Sequence, residues 1–129
     1  MSTRKTVHTN LAPEAIGPYS QAICVDDLIF TAGQIPLDPA TGQLLQGSFP
    51  DQVQQVLRNL AGILSTAGSD LDHVVKFTVF LTSMDDYPLL NEVFGRYFTT
   101  DPPARSVVQV AGLPLGARLE IDAIALLHS

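Results

Sequence analysis

The sequence predicts a single α+β domain of two layers, in which two helices cover one face of a β-sheet. Its 129 residues match the size of one domain, and 46% apolar with 16% charged residues is typical of a globular chain with a sizeable core. Two segments show the apolar spacing of amphipathic helices, and several others show the short apolar runs of strands. The predicted order is roughly β-β-β-α-β-α-β-β, within one domain over residues 1–129.

The first third of the chain predicts strands followed by a long loop. Residues 20–32, SQAICVDDLIFTA, predict two short strands about the turn Asp26-Asp27. The next segment, GQIPLDPATGQLLQG, is rich in Gly and Pro, and it predicts a loop that holds brief strand pieces.

The residue spacing predicts a first helix over 50–67. Pro50 and Asp51 suit its first turn, and Gly68 suits its C-terminal end. Its apolar positions follow the i, i+3, i+4, i+7 spacing of one helix face. They are Val53, Val56, Leu57, Leu60, Ile63, Leu64 and Ala67.

A second helix is predicted in DDYPLLNEVFGRYF, residues 85–98. Asp85 or Asp86 can cap it, Pro88 fits its first turn, and Gly95 lowers its helix propensity slightly. Its apolar side consists of Leu90, Val93, Phe94, Tyr97 and Phe98.

Three further strands are predicted at 73–81, about 105–110 and about 118–127, because β-branched and aromatic residues are frequent there. A strand alternates its faces, and both faces of 73–81 are apolar. One face holds Val74 and Phe80, and the other holds Val75, Phe77, Val79 and Leu81. Two helices can cover one face of the sheet, so another subunit is the natural cover for the other face.

Charge and hydropathy argue against several classes of protein. The net charge is −6, and the basic residues are scattered rather than grouped, so no nucleic-acid partner is predicted. No apolar run approaches the roughly 18 residues that a membrane helix needs. The start, MSTRKTVHTN, lacks the apolar centre of a secretory signal. These observations predict a soluble cytoplasmic protein with no membrane partner.

Cysteine, histidine and motif usage predict neither a metal nor a cofactor. Cys24 is the single cysteine, and its neighbours Ile and Val indicate a buried hydrophobe rather than a reactive thiol. His8, His73 and His128 are far apart in the sequence and lack metal-ligand spacing. No G-x-G-x-x-G, P-loop or G-x-S-x-G motif is present.

Arg105 and Glu120 each lie near the start of a predicted apolar strand. If the two strands pair as a hairpin, these side chains lie in the same region. One interpretation is a cross-strand ion pair, which contributes about a few tenths of a kcal/mol when it is exposed. The other is a site in which Arg105 binds a small carboxylic acid and Glu120 holds a water molecule or transfers a proton.

Several longer motifs point to one family. They are AIGPYSQA (15–22), FTAGQIPLD (30–38), NL (59–60), VVKFTVFL (74–81), LNEVFGRYF (90–98) and PPARSVVQVAGLPLGARLEIDAIA (102–125). Together they resemble the RidA family of reactive-imine deaminases, also called the YjgF family. The P-A-R-S segment followed by L-P and E-I is the hallmark of that family, and the resemblance covers nearly the whole chain.

The resemblance implies a fold and an activity. The fold would be the chorismate-mutase-like α+β domain with a mixed sheet and two helices on one face. Three copies would form a homotrimer with a central β-barrel and with active sites between subunits. Family members hydrolyse 2-imino acids, or their enamine tautomers, to 2-keto acids and ammonia. The named activity would be that of a 2-iminobutanoate/2-iminopropanoate deaminase, without a cofactor.

The resemblance also implies roles for individual residues. Arg105 would bind the substrate carboxylate, the backbone carbonyl of Val107 would contact the imine nitrogen, and Glu120 would position the attacking water. Tyr19 and Asn91 would line the site. Gly33 would bring backbone close to the ligand because it has no side chain.

Each of these last three residues also has a purely structural interpretation. The Tyr19 hydroxyl can bond locally, Asn91 can bond helix backbone or face solvent, and Gly33 can simply permit a turn.

Two departures from the family pattern leave the preferred imine open. Ala32 stands where serine is frequent, and Val107 stands where the deaminase branch often has cysteine. The alternatives are a 2-keto acid or carboxylate-binding module without turnover, and a pathway-specific aminomuconate or aminoacrylate deaminase. A ribonuclease or translation-inhibitor activity, attributed to some family members, is disfavoured by the acidic charge.

Overall fold

The computed structural model describes residues 3–128, so the predicted domain of 1–129 includes residues 1, 2 and 129 outside the described part. The described residues form one six-stranded sheet and two α-helices, which confirms the predicted α+β fold. The elements are β1 (Lys5–Val7), β2 (Ala22–Val25), β3 (Leu28–Thr31), α1 (Phe49–Ala67), β4 (Val74–Leu81), α2 (Tyr87–Tyr97), β5 (Ala104–Gln109) and β6 (Leu119–Leu126).

The sheet is mixed, with the strand order β1-β2-β3-β6-β4-β5. β4 and β5 are parallel, and the other neighbouring pairs are antiparallel. Parallel neighbours need a crossover connection, which α2 provides between β4 and β5. β6 pairs with β4 and β3, so it lies inside the sheet, whereas β5 is an edge strand.

The strands near 105–110 and 118–127 do not pair as a hairpin, which the sequence left open, because β4 lies between them. Phe80 of β4 is opposite Val108 on one side and Glu120 on the other. The α2 crossover places β5 parallel to β4 on one edge. β6 is more buried than β5, and it pairs with the other edge of β4 and with β3. The backbone groups on both edges of β6 therefore have hydrogen-bond partners.

This strand order separates the two charged groups that the sequence singles out. Phe77 is opposite both Arg105 and Ala123, and Phe77 and Ala123 are buried beneath the helices. Neighbours across a sheet share a face, so Arg105 projects from the helix-covered face. Glu120 is an odd number of residues from Ala123 and projects from the opposite face. The predicted cross-strand ion pair is therefore ruled out within one chain.

Helix α1 begins and ends as the sequence predicts. The Ser48 Oγ accepts a hydrogen bond from the backbone N–H of Asp51 at 3.2 Å, which caps the helix N-terminus. Gly68 ends the helix in the left-handed conformation, with φ 94°. The apolar stripe of α1 packs against β3, β6 and α2.

Helix α2 has a less regular start. Asp86 occupies the N-cap position, as one of the two predictions states, but its side chain makes no capping hydrogen bond. It accepts instead from Arg118 Nη2 at 2.9 Å, which ties α2 to the segment before β6. Ser83 caps the short 3-10 turn that precedes the helix, through a hydrogen bond from the N–H of Asp85.

Two features of the strands differ from the predictions. β1 is a strand that the sequence patterns do not predict, and it pairs with β2 at one edge of the sheet. A β-bulge between Val74 and Lys76 reverses the predicted faces at the start of β4. Val74 is therefore buried in the core, and Val75 is 41% exposed on the open side.

The face of the sheet away from the helices carries exposed apolar side chains. Phe30, Val75 and Val108 are 40%, 41% and 45% exposed. That a second subunit covers these side chains stays a prediction. Over residues 3–128, no helix has the length and apolar character needed to cross a membrane.

Gly62 gives a test of how α1 holds the N-terminal segment. A Cβ at position 62 would lie 2.7 Å from both the Cβ and the carbonyl oxygen of Leu11, so Gly62→Ala must displace that segment. We expect the free energy of unfolding to fall by about 1–3 kcal/mol in chemical denaturation.

Gly95→Ala in α2 is the matched control for this substitution. A Cβ there meets no atom within 4 Å, so alanine should raise the free energy of unfolding by up to about 1 kcal/mol. Stabilisation by both substitutions would contradict the close contact between Gly62 and Leu11.

Candidate active site

Arg105 lies on the edge strand β5 beneath helix α2. Its Nη2 donates a hydrogen bond to Asn91 Oδ1 at 2.6 Å, and its Cζ lies 4.9 Å from the centroid of the Phe94 ring. The Tyr87 hydroxyl is 3.5 Å from the same nitrogen. Among the described residues, no carboxylate lies within 4.0 Å of this guanidinium. Arg105 is thus oriented by neutral groups and remains able to bind an anion.

A cavity opens beside this guanidinium. It has a volume of about 450 Å³ and is lined by Phe94, Gly95, Phe98, Pro102, Pro103 and Arg105. Its walls are mainly apolar, and the guanidinium supplies the charge. Such a cavity suits a small carboxylic acid with an apolar side chain.

Val107 contributes through its backbone. The Val110 N–H donates to the Leu81 carbonyl, and in a parallel ladder alternate residues bond to the neighbouring strand. The N–H and C=O groups of Arg105 and Val107 therefore face the outer edge of β5. The Val107 side chain packs against the core instead.

Glu120 is packed against Gly33 on the open face of the sheet. A Cβ at position 33 would lie 2.6 Å from both Cδ and Oε2 of Glu120. Gln34 holds this contact in register, because its N–H and C=O bond to Ile121 at 2.8 and 3.0 Å. The Glu120 carboxylate can therefore occupy this position only because residue 33 is a glycine.

Burial and a neighbouring carboxylate act together on Glu120. Desolvation by burial is the larger cause that raises its pKa, and the negative charge of Asp122 adds to the effect. The pKa of Asp122 is raised as well, chiefly by burial, although a hydrogen bond with Thr78 and the charge of Lys76 oppose this. A carboxyl group whose pKa is raised is better suited to transfer protons near neutral pH.

Tyr19 lies on the same side of the chain as Gly33. Both residues line a cavity of about 20 Å³ that also contacts Ile16 and Gln21. The Tyr19 hydroxyl accepts a hydrogen bond from the Ile16 N–H at 3.2 Å, as the structural interpretation predicts, and the side chain remains 48% exposed. A cavity this small accommodates about one water molecule.

Gln21 is a supporting residue that the sequence patterns do not identify. Its buried side chain accepts from the Thr9 N–H at 2.7 Å and donates to the carbonyls of Thr9 and Pro13 at 3.1 and 2.8 Å. These bonds hold residues 9–13 against β2, beside Tyr19. A lone glutamine before a short strand carries no signal for this role, because its partners lie in another segment.

The structure therefore brings the predicted site residues together as two groups. One group, on the helix side and the edge of β5, contains Arg105, Asn91 and Val107. The other contains Gly33 and Glu120 on the open face, with Tyr19 beside Gly33. Strand β4 separates the two groups within one chain.

Comparison with known proteins places this arrangement among close relatives. A family model described as Endoribonuclease L-PSP matches residues 9–127. Protein DfrA of Myxococcus xanthus is 53% identical over 124 residues, which cover 95% of each chain. A Mus musculus protein named 2-iminobutanoate/2-iminopropanoate deaminase is 50% identical over 122 residues, covering 95% of this chain and 90% of that protein.

Solved structures of similar chains have the same fold. RidA from the Antarctic bacterium Psychrobacter is 43% identical and superposes with a TM-score of 0.92, covering 95% of this chain and 99% of that one. E. coli TdcF, whose structure has bound serine, is 40% identical with a TM-score of 0.90, covering 96% of this chain and 99% of that one.

The raised pKa of Glu120 predicts a pH-dependent cost in stability. The folded state retains this proton to higher pH than the unfolded chain, so the free energy of unfolding falls as pH rises from about the ordinary value of 4.5 through the folded pKa. Glu120→Gln removes this loss. We therefore expect urea denaturation to show a stabilised variant at pH 7 and a smaller difference at pH 4.

Glu92→Gln provides the control, because Glu92 is an exposed carboxylate on α2. It should leave the free energy of unfolding at pH 7 within about 0.5 kcal/mol of the wild type. A Glu120→Gln protein that is less stable than the wild type at pH 7 would show that the carboxylate is favourably bound in the folded state.

Proposed function

This chain belongs to the Endoribonuclease L-PSP family, also called the RidA or YjgF family, and we propose that it hydrolyses small 2-imino acids to 2-keto acids and ammonia. One observation carries the proposal. The guanidinium of Arg105 is oriented by Asn91 and Phe94 at the wall of an open cavity, and no described carboxylate neutralises it. A 2-imino acid supplies the carboxylate that this cation lacks.

Binding would begin at Arg105. Two N–H groups of the guanidinium bind the substrate carboxylate in parallel hydrogen bonds, which orients the adjacent imine carbon. Asn91 acts as a positioning residue, since its amide oxygen holds one Nη of Arg105. The Val107 carbonyl at the edge of β5 accepts a hydrogen bond from the imine nitrogen.

Hydrolysis then needs one water molecule and one proton carrier. The water oxygen forms a bond to the imine carbon, and a water proton passes to the Glu120 carboxylate. Glu120 passes this proton to the nitrogen as the C=N double bond becomes single, which gives a carbinolamine. Glu120 then takes the remaining hydroxyl proton and delivers it to the nitrogen as the C–N bond breaks and the C=O bond forms, so that ammonia and a 2-keto acid leave. The raised pKa of Glu120 makes its carboxylate a stronger proton acceptor than an ordinary glutamate, which favours the first transfer.

The two groups of residues can act on one substrate if they come from two copies of the chain. β5 leaves its outer edge unpaired among the described strands, and the open face carries exposed apolar side chains. Both features require a cover. A homotrimer would bring the edge of β5 in one copy beside Glu120, Gly33 and Tyr19 of the next.

A binding module without turnover is the alternative from another functional class. The serine bound to E. coli TdcF shows that a relative holds a small carboxylic acid. Ala32 and Val107, which lack the hydroxyl and thiol frequent in the family, are the positions that would reduce turnover. A half-buried Glu120 beside a bound anion weakens a pure binder, which favours the enzyme.

A deaminase assay separates these functions. An amino-acid oxidase generates 2-imino acids, semicarbazide traps them, and loss of the trapped product reports hydrolysis. We expect activity in the wild type and a fall in kcat/KM of about a hundredfold or more in Arg105→Ala, because the substrate carboxylate loses its partner. Glu120→Ala should lower kcat with less effect on KM.

Arg58→Ala is the control, since Arg58 is exposed on α1. It should hydrolyse imines like the wild type. An inactive wild type that still binds 2-ketobutyrate would support the binding module. Full activity of Arg105→Ala would overturn the role of this arginine.

Mixed assemblies test whether the site lies between copies. Arg105→Ala and Glu120→Ala chains are each expected to be inactive, but a co-expressed mixture creates some interfaces with native Arg105 on one copy and native Glu120 on the next. Random assembly gives about a quarter of the wild-type activity. Light scattering checks the number of chains, and the failure of every mixture to regain activity would place the site within one chain.

A further inference from the structure

A second cluster of chemically active side chains lies away from the candidate active site. Asp70 and His73 belong to the turn between α1 and β4, and His128 follows β6. The backbone brings these segments together, since the His128 N–H donates to the Gly68 carbonyl at 3.0 Å. The Ser69 hydroxyl adds a hydrogen bond to the Leu126 carbonyl at 2.6 Å.

One carboxylate contacts both imidazoles of the cluster. Asp70 Oδ1 lies 2.7 Å from His73 Nδ1, and Asp70 Oδ2 lies 3.0 Å from His128 Nε2. The two rings stack with their centroids 4.3 Å apart and an interplanar angle of 28°. The stacking holds both ring edges toward the same carboxylate, so the three donor groups converge before any ion binds.

We propose that Asp70, His73 and His128 bind a divalent transition-metal ion, with Zn²⁺ as the best match. The potential ligand atoms of the three residues all lie within 4.8 Å of one another. Two imidazole nitrogens and one carboxylate oxygen form a donor set that zinc accepts. The hard ions Mg²⁺ and Ca²⁺ prefer oxygen ligands and are poorly matched by two imidazoles.

The geometry requires a small adjustment. In a tetrahedral site with bonds of about 2.1 Å, ligand atoms lie roughly 3.4 Å apart. The two nitrogen–oxygen distances are 2.7 and 3.0 Å, so each ring must withdraw by about half an ångström to admit the ion. In the metal-free protein each facing ring nitrogen donates its N–H to the Asp70 carboxylate. Metal binding shifts each imidazole to the tautomer with its proton on the other ring nitrogen, which frees the facing lone pair for the ion.

Solvent can supply the fourth ligand. The side chains of Asp70, His73 and His128 are 46%, 41% and 52% exposed, so a water molecule can complete the tetrahedron. The ligands come from the α1–β4 turn and from the segment after β6. The ion would therefore link two segments that are far apart in the sequence. Binding to the folded state alone would then raise thermal stability.

The pair His8 and Glu14 provides an internal comparison. His8 Nε2 lies 3.0 Å from Glu14 Oε1, which resembles each half of the proposed site. Among residues 3–128, no third histidine, cysteine or carboxylate lies close enough to this pair to complete a metal site. It therefore separates general surface affinity of a histidine–carboxylate pair from affinity created by the third ligand.

The experiment is a titration of the full chain, prepared without a polyhistidine tag and stripped of metal, with ZnCl₂. Calorimetry should show one ion per chain, and the melting temperature should rise by several degrees. His73→Ala and His128→Ala should each weaken binding at least tenfold, since each removes one of three protein ligands. His8→Ala should bind zinc and gain stability like the wild type.

Co²⁺ provides a readout that depends on coordination rather than stability. A tetrahedral site with these ligands should give the visible absorption of four-coordinate Co²⁺, and the spectrum should be lost in His128→Ala and retained in His8→Ala. The proposal is overturned if the wild type binds no zinc, or if binding survives both His73→Ala and His128→Ala. Circular dichroism of the metal-free variants checks that they are folded.

Discussion

The crossover through α2 is the constraint on which the rest of the molecule depends. It makes β5 parallel to β4 and places it at the edge of the sheet, which leaves the other edge of β4 to β6. The same helix supplies the Asn91 and Phe94 that orient Arg105. A single connection thus decides the strand order, the location of the guanidinium and its separation from Glu120.

The sequence predicts local structure well and strand partners poorly. Both helices, the turn at Asp26-Asp27 and the end of α1 at Gly68 follow from spacing and capping, which act over a few residues. The faces at the start of β4 are mispredicted, and the sequence does not show that β4 lies between β5 and β6, because pairing and bulges depend on distant strands. The family motifs locate Arg105 and Glu120, but no motif reveals that they project from opposite faces. The convergence of His73 and His128 is likewise a product of tertiary structure.

Glu120 illustrates a conflict between stability and chemistry. Burial and the charge of Asp122 disfavour its ionised form, and Gly33 allows the carboxylate to sit where any side chain would displace it. A fold selected for stability alone would place an amide or an apolar group here. The retained carboxylate is consistent with a proton-transfer role, for which a raised pKa is an advantage.

The prolines that precede β5 affect how readily another strand can pair with this edge of the sheet. An edge strand with unpaired N–H and C=O groups is a template on which the strands of other proteins can add. Pro102 and Pro103 have no N–H, so an invading strand cannot extend its ladder beyond Ala104. The two prolines therefore limit the length of exposed edge with which another strand can pair, and the outward-facing backbone of β5 stays accessible only from Ala104 onward.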